Sequence, residues 1–303
     1  MYGETMTAVK KMPKLARSVY PGRVTAGQDD DGGLSHSARP QSLMLNFLGI
    51  YLLGRETAVY SGSIIDVFDR VGISEEAVRS TLIRMVNRGL LSRHRNGRRV
   101  YFGLSERATE VLADGERRIW QTGAVNRDWD GTWTLVAFSM PDTRRSERHD
   151  LRSQLIWAGF GLLQNGVWIA PGTKDAAAIV EDLGLTGNVT VFTAQHAKPT
   201  ESADLVHKAF DTDAIAARYH EFLGRWDTRR PLPSVPDDLA RQLILHSDWL
   251  QLVRQDPHLP AEHLAKDWPA IRAEQLFHEL ANRYRAPAAA IAAQIIEEIP
   301  TNS

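Results

Sequence analysis

The feature that most constrains this 303-residue sequence is a change of hydrophobic period at Gly89. Residues 75–88 place apolar side chains at the 3.6-residue spacing of a helix, whereas apolar and polar side chains alternate on both sides of Asn96-Gly97. Asn-Gly is well suited to a type I′ turn, because both central residues of that turn need a positive φ. The sequence therefore predicts a helix followed by a hairpin, with strands at 90–95 and 98–104.

Further helices surround this hairpin. Helical periodicity predicts them at 40–53, 61–71 and 106–121. Ser74 is placed to cap the helix over 75–88. Short helix, glycine-containing turn, capped helix, hairpin and helix follow the order of a winged helix-turn-helix, which we predict over residues 39–122.

The predicted first unit is basic, although the whole chain has a net charge of -1. Residues 39–104 hold ten arginines, no lysine and five acidic residues, so this segment carries +5 and the rest of the chain -6. Such asymmetry indicates a basic module for a polyanionic partner, attached to an acidic body.

One face of the predicted helix 75–88 has the chemistry to read DNA bases. A projection at 100° per residue places Val78, Leu82, Met85 and Val86 on the packed side. The other side carries Glu76, Ser80, Ile83, Arg84 and Asn87, with Arg79 on its flank. Arginine can donate to guanine, asparagine can read adenine, and isoleucine can contact a thymine methyl. By itself this pattern also fits a solvated amphipathic helix, but its neighbours favour a major-groove helix.

The hairpin adds a cluster of cations. Five of seven residues around its tip are cationic or can become so, and none is acidic: Arg93, His94, Arg95, Arg98 and Arg99. Because a hairpin tip has no core in which to pair such charges, the cluster favours phosphate or minor-groove contact.

The rest of the chain predicts two more units, so the fold class is α+β. Strands are predicted at 133–140, 161–170 and 188–193, and the helices between them at 146–157 and 175–183. This alternation indicates a ferredoxin-like α/β sandwich over 129–226. Helices at 237–254, 268–284 and 287–299 predict a helical C-terminal domain over 237–303, after a proline-containing linker at 228–236. Residues 1–38 lack periodicity and are expected to form a disordered tail.

Several function classes lack support in the sequence. There is no cysteine, and no apolar run reaches the roughly 18 residues of a membrane helix. The N-terminus has no secretory apolar segment, so we expect a cytoplasmic location and no membrane. Nucleotide-binding glycine motifs and metal-ligand spacings are absent, so we expect no cofactor, no metal and no enzyme activity. Asp142, after a predicted strand, leaves a metal-dependent nuclease as an alternative.

Three segments make the sequence similar to the PaaX family of repressors of phenylacetate catabolism. They are GISEEAVRSTLIRMVNRGLLSRHRNGRRVYFGLSERATEVL (72–112), WDGTWTLVAFSMPDTRRSERHDLRSQLIWAGFGLLQNGVWIAPG (129–172) and DPHLPAEHLAKDWPA (256–270). The resemblance covers about residues 39–285. It implies a homodimer with a winged-helix head, a ferredoxin-like middle domain that dimerises and a helical C-terminal domain.

The resemblance also implies ligands. Family members typically repress by binding palindromic operators on double-stranded DNA, and release them when an aryl-CoA thioester such as phenylacetyl-CoA binds. The DNA contacts carried over to this chain are Arg79, Ser80, Arg84 and Arg88 in the helix, and Arg93, Arg95, Arg98 and Arg99 in the hairpin.

We expect an effector pocket between the middle and C-terminal domains. Trp157 and Trp168 are candidates for its apolar walls, and Arg144, Arg145 and Arg148 for phosphate contacts. No CoA motif is present, so a regulator of the same architecture that responds to another aromatic or alicyclic acid is an alternative. An adaptor that uses the acidic body for protein contacts is a third possibility.

Overall fold

The computed structural model describes residues 40–121, 124–227 and 235–301, which form ten α-helices and two antiparallel sheets. The α+β class predicted from the sequence is confirmed. The tail expected at 1–38 and most of the linker expected at 228–236 lie outside the described residues.

The first unit surrounds one apolar core. Its elements are α1 (Pro40–Tyr51), β1 (Thr57–Tyr60), α2 (Ser61–Asp69), α3 (Glu75–Asn87), β2 (Leu91–Asn96), β3 (Arg99–Leu104) and α4 (Glu106–Gln121). Ser74 caps α3 as predicted, since its side chain accepts a hydrogen bond from the Ala77 N–H. The strand β1 was not predicted, because four residues are too few to display an alternation. The core contains Phe47 and Phe102 together with Met85 of α3.

The hairpin turn lies one residue later than predicted. Asn96 pairs with Arg99, so the two loop residues are Gly97 and Arg98. Gly97 has a φ of 59°, whereas the only non-glycine residue with a positive φ in the described ranges is His258. A positive φ at the first loop position alone fits a type II′ turn with glycine in that position. The predicted type I′ turn was therefore wrong, and Arg99 belongs to β3.

The second unit has a four-stranded sheet with two helices on one face. Its elements are β4 (Thr132–Phe138), a 3-10 turn (Asp142–Arg144), α5 (Arg145–Trp157), β5 (Gly161–Gln164), β6 (Val167–Pro171), α6 (Ala176–Asp182) and β7 (Val189–Gln195). The strand order is β5-β6-β4-β7, and every neighbouring pair is antiparallel. Leu151 of α5 and Ile179 of α6 pack against Val136 and Trp168 of the sheet.

The single strand predicted at 161–170 was wrong, because the chain reverses between β5 and β6. Gly166 lies in this turn with a φ of 78°. A Cβ atom added to Gly166 would lie 2.6 Å from the carbonyl oxygen of Phe138, so glycine is required there for space as well as for φ. The Asn165-Gly166 pair is the same turn signal that identified the first hairpin.

The last part of the chain is mainly helical. It contains α7 (Ser202–Ala209), α8 (Thr212–Trp226), α9 (Asp238–Gln255), a 3-10 turn (Ala261–His263), α10 (Pro269–Ile295) and β8 (Glu298–Pro300). The sequence predicted two separate helices here, at 268–284 and 287–299. Instead α10 runs through Pro287, which is exposed, so the carbonyl that loses its helical hydrogen bond can be hydrated. The predicted helix beyond 295 is replaced by β8.

The C-terminal helices pack against both preceding units. Leu243 of α9 and Ala292 of α10 belong to the core of the first unit. Toward the other end of each of these helices, the rings of Trp249 and Phe277 stack with centroids 4.8 Å apart, in a second core that also includes Trp133 of β4. β8 then pairs with β1, so the end of the described chain completes the first sheet in the order β2-β3-β1-β8. No helix in the described ranges is long and apolar enough to cross a membrane.

Candidate nucleic-acid interface

Helix α3 turns a mainly polar face to solvent. Its buried residues are Val78, Thr81, Leu82 and Met85. The packed side therefore differs from the prediction at one position, because Thr81 is buried whereas Val86 is only half-buried. The residues predicted to contact DNA are all exposed: Arg79, Ser80, Ile83, Arg84, Asn87 and Arg88. Ile83 is 59% exposed, although its neighbours on the packed side are fully buried. An apolar side chain held in solvent within a cationic face is available for contact with a partner.

The arginines of α3 are held along the helix. Arg84 donates to the hydroxyls of Ser80 at 2.8 Å and Thr81 at 2.9 Å. Arg79 is paired with Glu75 one turn earlier, at 2.7 Å. Because exposed contacts of this kind contribute little free energy, they orient the guanidinium groups without preventing them from binding another partner.

The hairpin divides its arginines between two faces. Arg93 and Arg95 lie opposite Phe102 and Val100 in the ladder, so these four side chains share the face that continues into the core. Arg98 occupies the loop at the tip. Arg99 belongs to the other face. The structure therefore places Arg93 and Arg95 together on one face, Arg98 in the loop and Arg99 on the opposite face.

Arg99 contacts the C-terminal segment of the chain, while its side chain stays 55% exposed. Its guanidinium forms an ion pair with Glu297, which immediately precedes β8, and lies 5.0 Å from the centre of the Tyr60 ring. The Tyr101 hydroxyl donates to the second oxygen of the same carboxylate at 2.5 Å. Hydrogen bonds from Tyr101 and Arg99 lower the pKa of the Glu297 carboxyl below its usual value. Glu297 was not predicted as a functional residue, because its segment was expected to be helical.

A groove of about 470 Å³ lies between the second unit and the C-terminal helices. Trp157 and Trp168, both predicted for an effector pocket, line it together with Phe160, Phe210 and Ile215. The cationic residues in its wall are Arg218 and Arg254, two positions that sequence reasoning missed because they lie on helices without any motif.

The predicted phosphate-binding arginines lie elsewhere. Arg144 immediately precedes α5, and Arg145 and Arg148 lie in its first turn. Trp157 is the last residue of the helix, about 14 to 18 Å from these two helical arginines at about 1.5 Å per residue. Arg144 bonds to Glu147 and Asn188, and Arg148 donates to Asp142 at 3.0 Å. The structure thus brings the two tryptophans together and leaves the three arginines outside the groove. The ion pair with Arg148 places the Asp142 carboxylate beside a guanidinium group.

Comparisons with known proteins cover nearly all of the described chain. Residues 39–108 match a family described as PaaX-like protein, residues 126–206 the PaaX protein central Cas2-like domain, and residues 210–294 the PaaX-like protein C-terminal domain. The transcriptional repressor PaaX of Escherichia coli strain K12 is 30% identical over 260 residues, which are 82% of this chain and 81% of that protein. The chain belongs to the PaaX family. As a PaaX-family protein it is a transcription regulator and not an enzyme.

A solved structure extends the comparison to the fold. The uncharacterized protein Rv0674 from Mycobacterium tuberculosis superposes with a TM-score of 0.55 at 24% identity, covering 84% of this chain and 99% of that one. At this identity the likeness concerns architecture alone. It shows that the path of this PaaX-family chain has a counterpart among solved proteins.

Proposed function

We propose that this regulator binds operator DNA sequence-specifically in the cytoplasm and represses the adjoining genes. In this proposal residues 39–122 form a winged helix-turn-helix, in which α3 enters the major groove and the hairpin β2–β3 contacts the flanking phosphates. The observation that carries the proposal is the exposed face of α3, which presents Ile83 to solvent together with Arg84 and Asn87. This combination supplies contacts for guanine, adenine and the thymine methyl at once.

A footprint on the DNA beside the protein's own gene tests this proposal. We expect a protected palindrome whose half-sites are one or more helical turns apart, because a two-fold dimer presents two α3 helices. Labelled DNA incubated with Mg²⁺ should stay intact, whereas a nuclease would cut it. If no sequence is protected above competitor DNA, the operator assignment is wrong and the adaptor alternative is favoured.

We propose that two copies associate through the middle domain predicted at residues 129–226, which contains the second unit. Its βαββαβ order and antiparallel sheet support a ferredoxin-like sandwich. β7 lies at one edge of that sheet and exposes 38% of Val191 and 54% of Phe192. An edge strand with exposed apolar side chains pairs readily with another chain. The homodimer that the family resemblance implies would cover this edge.

We propose that residues 237–303 and the adjoining groove form the effector-responsive part, with an aryl-CoA thioester such as phenylacetyl-CoA as the ligand. Trp157 and Trp168 offer aromatic walls, and Arg218 and Arg254 lie where an anionic group could bind. Arg144, Arg145 and Arg148 would serve only the distant phosphates of an extended thioester. The alternative effector is another aromatic or alicyclic acid.

Helix α9 offers a route from this groove to the DNA-binding unit. Arg254 and Gln255 at its C-terminal end line the groove, while Leu239 and Leu243 at its start pack in the core of the first unit. A ligand that binds better to a shifted position of α9 would change the spacing of the two α3 helices, and operator affinity would fall in proportion to that preference. Titrating operator complexes with aryl-CoA thioesters and free acids tests this and separates the two effector classes.

A further inference from the structure

The hairpin face opposite Arg93 and Arg95 carries a bound arginine. Arg99 follows the loop directly and was predicted to contact phosphate together with its neighbour Arg98. In the ladder Arg99 pairs with Asn96, whereas Arg95 pairs with Val100, so the side chains of Arg95 and Arg99 leave the hairpin on opposite faces. Three groups meet Arg99 on its face: the Glu297 carboxylate, the Tyr60 ring and the Tyr101 hydroxyl bonded to that carboxylate.

The backbone fixes the position of the carboxylate. The Glu297 carbonyl accepts a hydrogen bond from the Tyr60 N–H at 2.9 Å, and its own N–H donates to the Ser63 hydroxyl at 3.1 Å. β8 follows at once and pairs with β1, and Glu298 forms a second ion pair with Arg55 at 2.7 Å. An isolated exposed ion pair is weak. This pair has a prearranged carboxylate, a cation–π contact and a phenol bond in addition, so a phosphate would have to displace several contacts at once.

We propose that the Glu297 carboxylate binds Arg99 in the place that a DNA phosphate would otherwise take. Arg99 then positions the hairpin against the C-terminal segment and does not bind the operator. Because α10 ends two residues before Glu297 and begins in the second core, this contact joins the DNA-binding hairpin to the C-terminal helices. The inference rests on the proposed DNA-binding function. It separates the hairpin arginines into phosphate contacts at Arg93, Arg95 and Arg98 and a positioning residue at Arg99.

The salt dependence of DNA affinity distinguishes the two roles. Each arginine that neutralises a phosphate adds about 0.9 to the slope of log affinity against log salt, which is about 3.5-fold in affinity between 50 and 200 mM salt. Four full-length proteins are compared by fluorescence anisotropy on operator and unrelated duplexes: Arg98→Ala, Arg99→Ala, Glu297→Gln and the double variant Arg99→Ala with Glu297→Gln.

Arg98→Ala should flatten the wild-type slope by about 0.9, whereas Arg99→Ala should leave the slope unchanged. Glu297→Gln should steepen it by about the same amount, because the released Arg99 becomes available to phosphate, and the double variant should return to the wild-type slope. A purely structural role would not make the Glu297→Gln slope steeper.

The proposal is overturned if Arg99→Ala flattens the slope as Arg98→Ala does, or if Glu297→Gln leaves it unchanged. Thermal unfolding of each variant confirms that the protein is folded before its slope is read. If wild-type protein binds neither duplex, the proposed DNA-binding function itself fails, and that result is distinct from either outcome above.

Discussion

In the proposed operator complex, single side chains of α3 decide whether the helix recognises specific bases or only the charge of DNA. We expect Arg84→Ala to cost about 1 to 3 kcal/mol of operator binding and to relax sequence preference, because a guanidinium can bond two acceptors of guanine. Gel-shift titrations on operator and scrambled duplexes measure both effects. Arg283→Ala is the matched control, since Arg283 is an exposed arginine on α10 whose partner, Glu279, lies one turn away on the same helix, as Ser80 does for Arg84. Equal losses for both variants would show that only charge matters.

His246 gives a residue-scale prediction for pH. Burial, with a smaller effect of Arg285, lowers the pKa of His246 from 6.5 to about 4 in the folded protein. The unfolded chain then binds more protons between these values, so the contribution of His246 favours folding above pH 6.5 and is lost as pH falls toward 4, by about 3 kcal/mol in all.

The measurement is urea unfolding at pH 5 and pH 7.5 for wild type and His246→Phe. Phenylalanine keeps an aromatic ring in the cluster with Trp120 and Phe277 but cannot titrate. The free energy of unfolding should therefore fall less with acid in the variant, while the carboxylates contribute equally to both proteins. An identical pH dependence in the two proteins would refute the assignment.

At the scale of elements, sequence patterns located most helices but missed structure that depends on remote pairing. α3 and α4 follow from periodicity and caps, because those signals lie within the helix itself. β1 and β8 are short, and each becomes a strand because the other lies beside it, about 240 residues away in sequence. Local patterns carry no information about such a partner, so the ion pair of Glu297 with Arg99 could not be predicted either.

The edge strand β7 carries an element-scale prediction. Phe192→Asp places a charge at the proposed interface and should convert the dimer to monomers, since buried unpaired charge is costly. Light scattering after size-exclusion chromatography measures the mass. Leu162→Asp is the matched control: Leu162 is 44% exposed at the opposite edge of the same sheet and should leave the dimer intact. A Phe192→Asp dimer at micromolar concentration would exclude β7 as the interface.

For the whole molecule, the groove is linked to the first unit, which we propose binds DNA, because α9 and α10 contribute side chains to both apolar cores. The sequence predicted two tryptophans that line the groove, whereas the three arginines predicted to accompany them lie outside its lining. Arg144 lies near Trp157 along the chain, yet a straight helix separates them, whereas folding of α8 and α9 brings Arg218 and Arg254 to the groove. Proximity in sequence was therefore misleading for this site.

This arrangement predicts that effector response and operator affinity can be separated. Trp157→Ala removes an aromatic wall that is 49% exposed, so its loss should leave folding and effector-free operator binding unchanged. It should raise the aryl-CoA concentration for half-maximal operator release by about 5- to 30-fold, because an aromatic contact at a ligand contributes roughly 1 to 2 kcal/mol. Trp157→Phe, which keeps a ring, should restore most of the response. Unaltered release by Trp157→Ala would place the effector outside this groove, whereas loss of operator binding without effector would instead mean that Trp157 supports the DNA-binding conformation.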